Sequence, residues 1–109
     1  VLVAETPERI VGRLSIGRDP HPASGHVADL GLMVSRAYRR RGAGRALMRA
    51  AETWALRVGV TKIELHVFPH NGPAIALYES LGYEREGFRR SHYRRRGRLL
   101  DAVLMAKEL

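Results

Sequence analysis

Val34-Ser35-Arg36-Ala37-Tyr38-Arg39-Arg40-Arg41-Gly42-Ala43-Gly44-Arg45 is the stretch that decides how this chain is read. An apolar run (Leu30, Leu32, Met33, Val34) leads into it, and a helix-patterned segment follows at once. In that segment Leu47, Ala51, Trp54, Ala55 and Val58 recur on one face of a 3.6-residue period. The stretch therefore reads as strand, basic loop and helix start. Gly42 and Gly44 fall where the first backbone N–H groups of a helix have no intrahelical partner. Lacking a Cβ, they let a ligand come close to the main chain. Free N–H groups, the positive end of the helix dipole and the surrounding guanidiniums make an anion site suited to a pyrophosphate. A dinucleotide-binding turn would run the strand straight into the glycines and put a third glycine near position 47, which is the bulky Leu47. A Walker-type loop would need Gly-Lys-Ser/Thr, and none follows.

Upstream, Val1 to Glu5 is a short apolar run and Thr6 to Arg9 a turn. Ile10 to Gly17 sets Ile10, Gly12, Leu14 and Ile16 against Val11, Arg13 and Ser15, the alternation of a hairpin's second strand. Arg18 to Gly25 is a polar loop. His26 to Val34 is the third strand, with Gly31 in mid-run marking a bulge or a close backbone approach. Downstream, the helix from Gly42 to Val58 closes at Gly59. Lys62 to Phe68 puts Ile63, Leu65 and Val67 on one face and Glu64, His66 and Phe68 on the other. Pro69 ends that ladder, and Asn71-Gly72-Pro73 starts a second helix whose face is Ala74, Leu77, Tyr78 and Leu81. Tyr83 to Tyr93 and Leu99 to Glu108 form a final strand pair around an Arg94-Arg95-Arg96-Gly97 turn. The order β-β-β-α-β-α-β-β gives an α/β fold on a mixed sheet: an antiparallel meander, then a crossover helix and a parallel neighbour.

The 109 residues are expected to form one domain (1–109) around one sheet-centred core. With no cysteine there is no disulfide, no thiolate metal site and no acyl-cysteine intermediate. His21, His26, His70 and His92 are too scattered to argue a metal site, so none is expected. No apolar run is long enough for a bilayer and no signal peptide is visible, which points to a cytoplasmic protein without a membrane partner. The net charge of +8, nearly all arginine, favours polyanionic partners or a cofactor bearing several phosphates. Arg89, Arg90, Arg94, Arg95, Arg96 and Arg98 bracket His92 and Tyr93. As a nucleic-acid surface they lack stacking aromatics beyond Tyr93, so a solvated hairpin tip is the favoured reading.

Arg39-x-x-Gly42-x-Gly44 resembles the acetyl-CoA signature of the GNAT family of N-acetyltransferases. A second segment, Asn71-x-x-Ala74-x-x-Leu77-Tyr78-Glu79-x-x-Gly82-Tyr83, resembles that family's asparagine-to-glycine helix, and the ending Asp101 to Ala106 is similar to members that acetylate free amino acids or protein N-termini. The resemblance spans residues 10 to 109, and the element order is that of the family's fold from its second strand onward. On this resemblance the family's first strand and first two helices are expected to lie outside this sequence, and those helices usually wall the acceptor site in the family.

The resemblance implies acetyl-CoA as acyl donor. The main chain of Leu32, Met33 and Val34 would pair with the pantetheine arm, in a gap splayed between the strands at Val34 and Val67. The pyrophosphate would rest on Arg39, Arg40, Arg41, Gly42, Ala43, Gly44 and Arg45. Asn71 would hold the pantetheine amide, cap the second helix, or both. Tyr78 would protonate the departing thiolate, a phenol near pKa 10 being close enough to a thiol near 8.5 for useful transfer. Core packing is the alternative for Tyr78. Related N-terminal acetyltransferases carry a glutamate where His66 stands, so His66, Glu64, Asp29 and a water relay all stay open as the base that deprotonates the amine. The implied reaction is direct transfer of acetyl to a primary amine, a free amino acid or a peptide N-terminus. A basic RNA-binding or regulatory module on the same fold is the reading from another class, and a homodimer is left open.

Overall fold

The computed structural model describes residues 2–6, 9–34 and 42–109, with side chains from 12–32 and 42–109. Its elements are β1 (Leu2–Thr6), β2 (Arg9–Arg18), a short 3₁₀ turn (Pro22–Ser24), β3 (Val27–Val34), α1 (Ala43–Arg57), β4 (Lys62–Val67), α2 (Gly72–Ser80), β5 (Glu84–Arg95) and β6 (Arg98–Glu108). This is the expected order. The strands form one sheet in the order β1-β2-β3-β4-β6-β5, antiparallel throughout except for the parallel β3–β4 pair. The last strand thus inserts between β4 and β5. Among the described residues no helix is long and apolar enough to cross a membrane.

Both helices pack on one face of the sheet. Gly12 and Leu14 of β2, Ala28 and Leu30 of β3, and Ile63, Leu65 and Val67 of β4 point into that face, while Arg13, Ser15 and Asp29 are exposed on the other. The period of two seen in the sequence is therefore a real division between core and outer surface. From α1 the core receives Leu47, Met48, Ala51 and Ala55, with Trp54 and Val58 at its margin. α2 contributes Tyr78 and also Ile75, which lay outside the expected face; Ala74, Leu77 and Leu81 are only partly buried. Gly59 (φ +83°) and Gly82 (φ +95°) stop the two helices in the left-handed region that favours glycine.

Gly31 departs from expectation. β2 and β3 pair without a break from Gly12↔Val34 to Arg18↔Ala28, and Gly31 sits squarely opposite Ser15, so β3 carries no bulge against β2. A Cβ there would meet Ser15 Oγ at an ordinary 3.6 Å. The register shifts lie instead between Ala4 and Glu5 of β1 and at two places in β5, between Arg85 and Gly87 and between Arg89 and Tyr93.

Tyr83, 2% exposed, fastens the layers together. Its hydroxyl donates to Glu52 Oε2 of α1 (3.2 Å), and Glu52 Oε1 accepts from Lys107 Nζ of β6 (2.9 Å). Burial first, and then the Glu52 carboxylate, push the Tyr83 phenol far above its usual value near 10. Burial pushes Tyr78 up as well. The folded state thus keeps phenolic protons that the unfolded chain releases above about pH 10, so this stability is complete below that pH and is lost as pH rises further. Tyr83→Phe is expected to cost about 1–2 kcal/mol in urea denaturation at pH 7. Between pH 9 and 11 the variant's stability should fall less steeply than that of the wild type.

Candidate functional site

The centre of the site is a fork in the sheet. β3 and β4 pair in parallel only from Val27↔Lys62 to Leu30↔Leu65. Beyond that point β3 continues to Val34 on β2, and β4 continues to Val67 on β6, without pairing to each other. The main-chain groups of Gly31, Leu32, Met33 and Val34 that face the gap therefore have no ladder partner across it. Such groups need water or a ligand. The fork falls at Gly31, so that glycine marks where β3 parts from β4, not a bulge against β2. Residues Leu32, Met33 and Val34, expected to receive an extended ligand, are the free limb of the fork.

α1 begins close by in sequence. Gly42 is its N-cap, with φ +83° and no side-chain hydrogen bond capping the helix. The first intrahelical bond runs from Ala46 N to Gly42 O (2.9 Å), which leaves the amides of Ala43, Gly44 and Arg45 without helical partners. Among the described residues no side chain caps these amides, which suits them to an anion. Arg39, Arg40 and Arg41, expected at the same anion, lie outside the described residues. Arg45 is engaged elsewhere: its Nη2 donates to Ser80 Oγ at the end of α2 (2.8 Å), so its contribution here is its main-chain N–H. Asn71 caps α2, its Oδ1 accepting from Ala74 N (3.3 Å).

Alternation along β4 distributes the chemistry to the two sides of the fork. On the helix side, Tyr78 is 6% exposed in the cluster that also contains Leu30, Leu65 and Val67. Its ring meets Tyr83 edge-on at 6.2 Å, and burial raises its pKa. On the other side an open groove of about 730 Å³ is lined by Ser15, Gly31, Asp29, Glu64, His66 and Tyr93, among others. All three side chains considered as a base (His66, Glu64, Asp29) thus share one groove, and Asp29 is the register partner of Glu64. Tyr78 and His66 stand on opposite faces of the sheet. Arg18 also lines the groove, but its guanidinium is held by the carbonyls of Gly25 and Val58.

Two residues named from the sequence, but not as part of this site, join it. Tyr93 places its hydroxyl 2.7 Å from His66 Nδ1, and His92 packs its ring edge-on to His66 at 5.4 Å. Both come from β5, and the arginines around them had drawn attention only as a charged tip. That tip is exposed throughout β5. The signal available was two aromatic rings set among arginines with no apolar face to bury them.

The profile of the Acetyltransferase (GNAT) family matches residues 1–83. The chain belongs to that family. It is 38% identical over 110 residues to the L-amino acid N-acetyltransferase AaaT of Escherichia coli (strain K12), a match covering 97% of this chain and 66% of that protein. It is 39% identical over 75 residues to the [Ribosomal protein bS18]-alanine N-acetyltransferase of the same strain, covering 69% of this chain and 51% of the relative. The chain therefore spans between half and two thirds of the length of these two relatives. Among solved structures, the ribosomal-protein-alanine N-acetyltransferase from Brucella melitensis superposes with a TM-score of 0.89 at 30% identity, over 98% of this chain and 67% of that one. The matches bear out the expected family and fold.

Gly42 offers a test of the geometry at the helix start. An added Cβ would meet nothing within 4 Å, so Gly42→Ala is penalised only by its left-handed backbone. We expect a loss of about 1–2 kcal/mol in urea denaturation, part of it recovered in Gly42→Asn, since asparagine tolerates that region.

Proposed function

We propose that the protein is an acetyl-CoA-dependent N-acetyltransferase that moves an acetyl group to a primary amine, a free amino acid, by direct attack with both substrates bound. The observation that carries this reading is the fork, with the start of α1 following its β3 limb in sequence. An extended pantetheine arm has amides that match the free limb at Leu32, Met33 and Val34, as an added strand would. A diphosphate matches the amides of Ala43, Gly44 and Arg45. The naming of AaaT as an L-amino acid N-acetyltransferase supports both the reaction and the acceptor class.

Bound in this way, acetyl-CoA supplies an acetyl thioester at the fork. This chain's residues then have three tasks. The free β3 limb and the α1 amides hold the donor. Tyr78, kept protonated by its burial, gives a proton to the departing sulfur from the helix side. His66 takes a proton from the amine in the groove, where Asp29 and Glu64 supply negative charge that draws a cationic amine in. With no cysteine in the sequence, no acyl-cysteine intermediate intervenes. A peptide N-terminus is the second acceptor to consider. The breadth of the open groove and the naming of two similar proteins as ribosomal-protein-alanine N-acetyltransferases favour it.

Release of free CoA by the full-length protein, measured over a panel of amino acids and peptides, tests the reading. Tyr78→Phe is expected to lower kcat by about 10²-fold or more with little change in the KM for acetyl-CoA. Wild-type turnover in that variant would remove Tyr78 from the mechanism. Gly44→Glu separates ligand binding from folding. A carboxylate in the first turn suits the helix dipole, so the melting temperature should hold or rise. The same carboxylate repels a diphosphate, so calorimetry should show acetyl-CoA affinity falling at least about tenfold.

A further inference from the structure

His66 is held by more than its own strand. Tyr93 meets it through the hydroxyl at 2.7 Å from Nδ1, and the Tyr93 ring lies 6.0 Å from the imidazole at 69°. His92 stands against it at 5.4 Å and 86°. Phe68 braces Tyr93 in turn, edge-on at 5.8 Å. His66 of β4, His92 and Tyr93 of β5, and Phe68 just past β4 thus form one ring cluster, although β4 and β5 are not sheet neighbours. Edge-on ring pairs are favoured because the positive edge of one ring meets the negative face of the other. His66 is therefore fixed by packing as well as by a hydrogen bond.

The β5 backbone explains how Tyr93 reaches so far. Four residue steps along β5, from Arg89 to Tyr93, match only two along β6, from Ala102 to Leu100. The excess is taken up at Ser91, which has φ +51° and whose N–H donates to Asp101 Oδ1 (2.8 Å). A second shift lies between Arg85 and Gly87. Bulges bend a strand and sharpen its twist, and here they carry the far end of the hairpin across the open face to β4.

We propose that Tyr93 is a positioning residue for acyl transfer: it holds His66 by Nδ1 and so makes Nε2 the nitrogen that exchanges a proton with the acceptor amine. The proposal rests on the reading of His66 as the base. An imidazole can accept a proton at Nε2 only if its other nitrogen carries the hydrogen, because the two ring nitrogens share one lone pair and one N–H in the neutral form. The phenolic oxygen of Tyr93 is the acceptor for that Nδ1–H. When the amine's N–H breaks, the Nε2–H bond forms and the resulting imidazolium keeps its Nδ1–H on Tyr93. The proton later leaves Nε2 for solvent through the open groove. Tyr93 retains its own hydrogen throughout, and no electrons change hands. The other charged or titratable groups around the ring are Asp29 on β3, Glu64 on β4, Arg18 and Asp19 at the end of β2, and His92 on β5. Among the described residues none of them hydrogen-bonds His66.

The test uses the full-length protein labelled with ¹⁵N. Long-range proton–nitrogen correlations report the His66 tautomer directly. In the wild type we expect the neutral ring to carry its hydrogen on Nδ1. In Tyr93→Phe, which keeps the ring and deletes the hydroxyl, the hydrogen should move to Nε2, and kcat should fall about 10- to 100-fold with KM for the amine unchanged. A purely structural role for Tyr93 would not move the tautomer. A wild-type ring bearing its hydrogen on Nε2 overturns the proposal, as does a Tyr93→Phe enzyme with wild-type kcat beside a slow His66→Ala enzyme. A His66→Ala enzyme with wild-type kcat overturns the base reading itself, and the proposal with it.

Discussion

Everything at the site depends on the parting of two parallel strands. A parallel pair closed along its whole length would satisfy its own amides and leave nothing for a ligand. Here the pairing stops after Leu30 and Leu65, while each strand goes on with a different partner. The fork is possible because β3 has β2 and β4 has β6 to hold them on their outer edges. Separation at the fork therefore leaves only inward-facing groups unpaired, and each strand stays anchored. An open edge in mid-sheet is costly unless something polar fills it. Water meets that requirement, and so would an extended, amide-bearing ligand.

The fork also has two unlike sides. Strand alternation sends Ile63, Leu65 and Val67 toward the helices and Glu64 and His66 toward the open groove. One side is dry and holds a phenol whose proton is hard to remove. The other side is open and carries carboxylates and an imidazole. A reaction that delivers one proton and removes another is served by such a division, because the two groups cannot neutralise each other across a packed sheet. The Glu52 pair of contacts, to Tyr83 and Lys107, keeps the dry side closed by joining α1 to β6.

Much of this was legible in the sequence. Element order, both helix stops, the Asn71 cap and the two faces of β4 all come from short-range rules: periodicity, left-handed glycines and missing N–H groups. The two motif segments carried the family, which the comparisons then showed. Three base candidates were named, and they do share a groove. The readings that missed depended on register. Gly31 looked like a bulge because a mid-strand glycine has no local way to say which neighbour it will lose. Ile75 was left off the face of α2, although it lies three residues before Tyr78 and so on the same side of the helix.

The amino-acid order by itself determined where the chain turns and which residues of β4 point inward. It did so because each of these follows from contacts within a few residues. Only the tertiary structure decided that β6 lies between β4 and β5, that Arg45 turns to Ser80, and that Tyr93 reaches His66 from 27 positions away. Those outcomes depend on which strands pair and on how far two bulges shift the register of β5. A residue's immediate neighbours do not specify such shifts, since pairing energy is summed along whole strands.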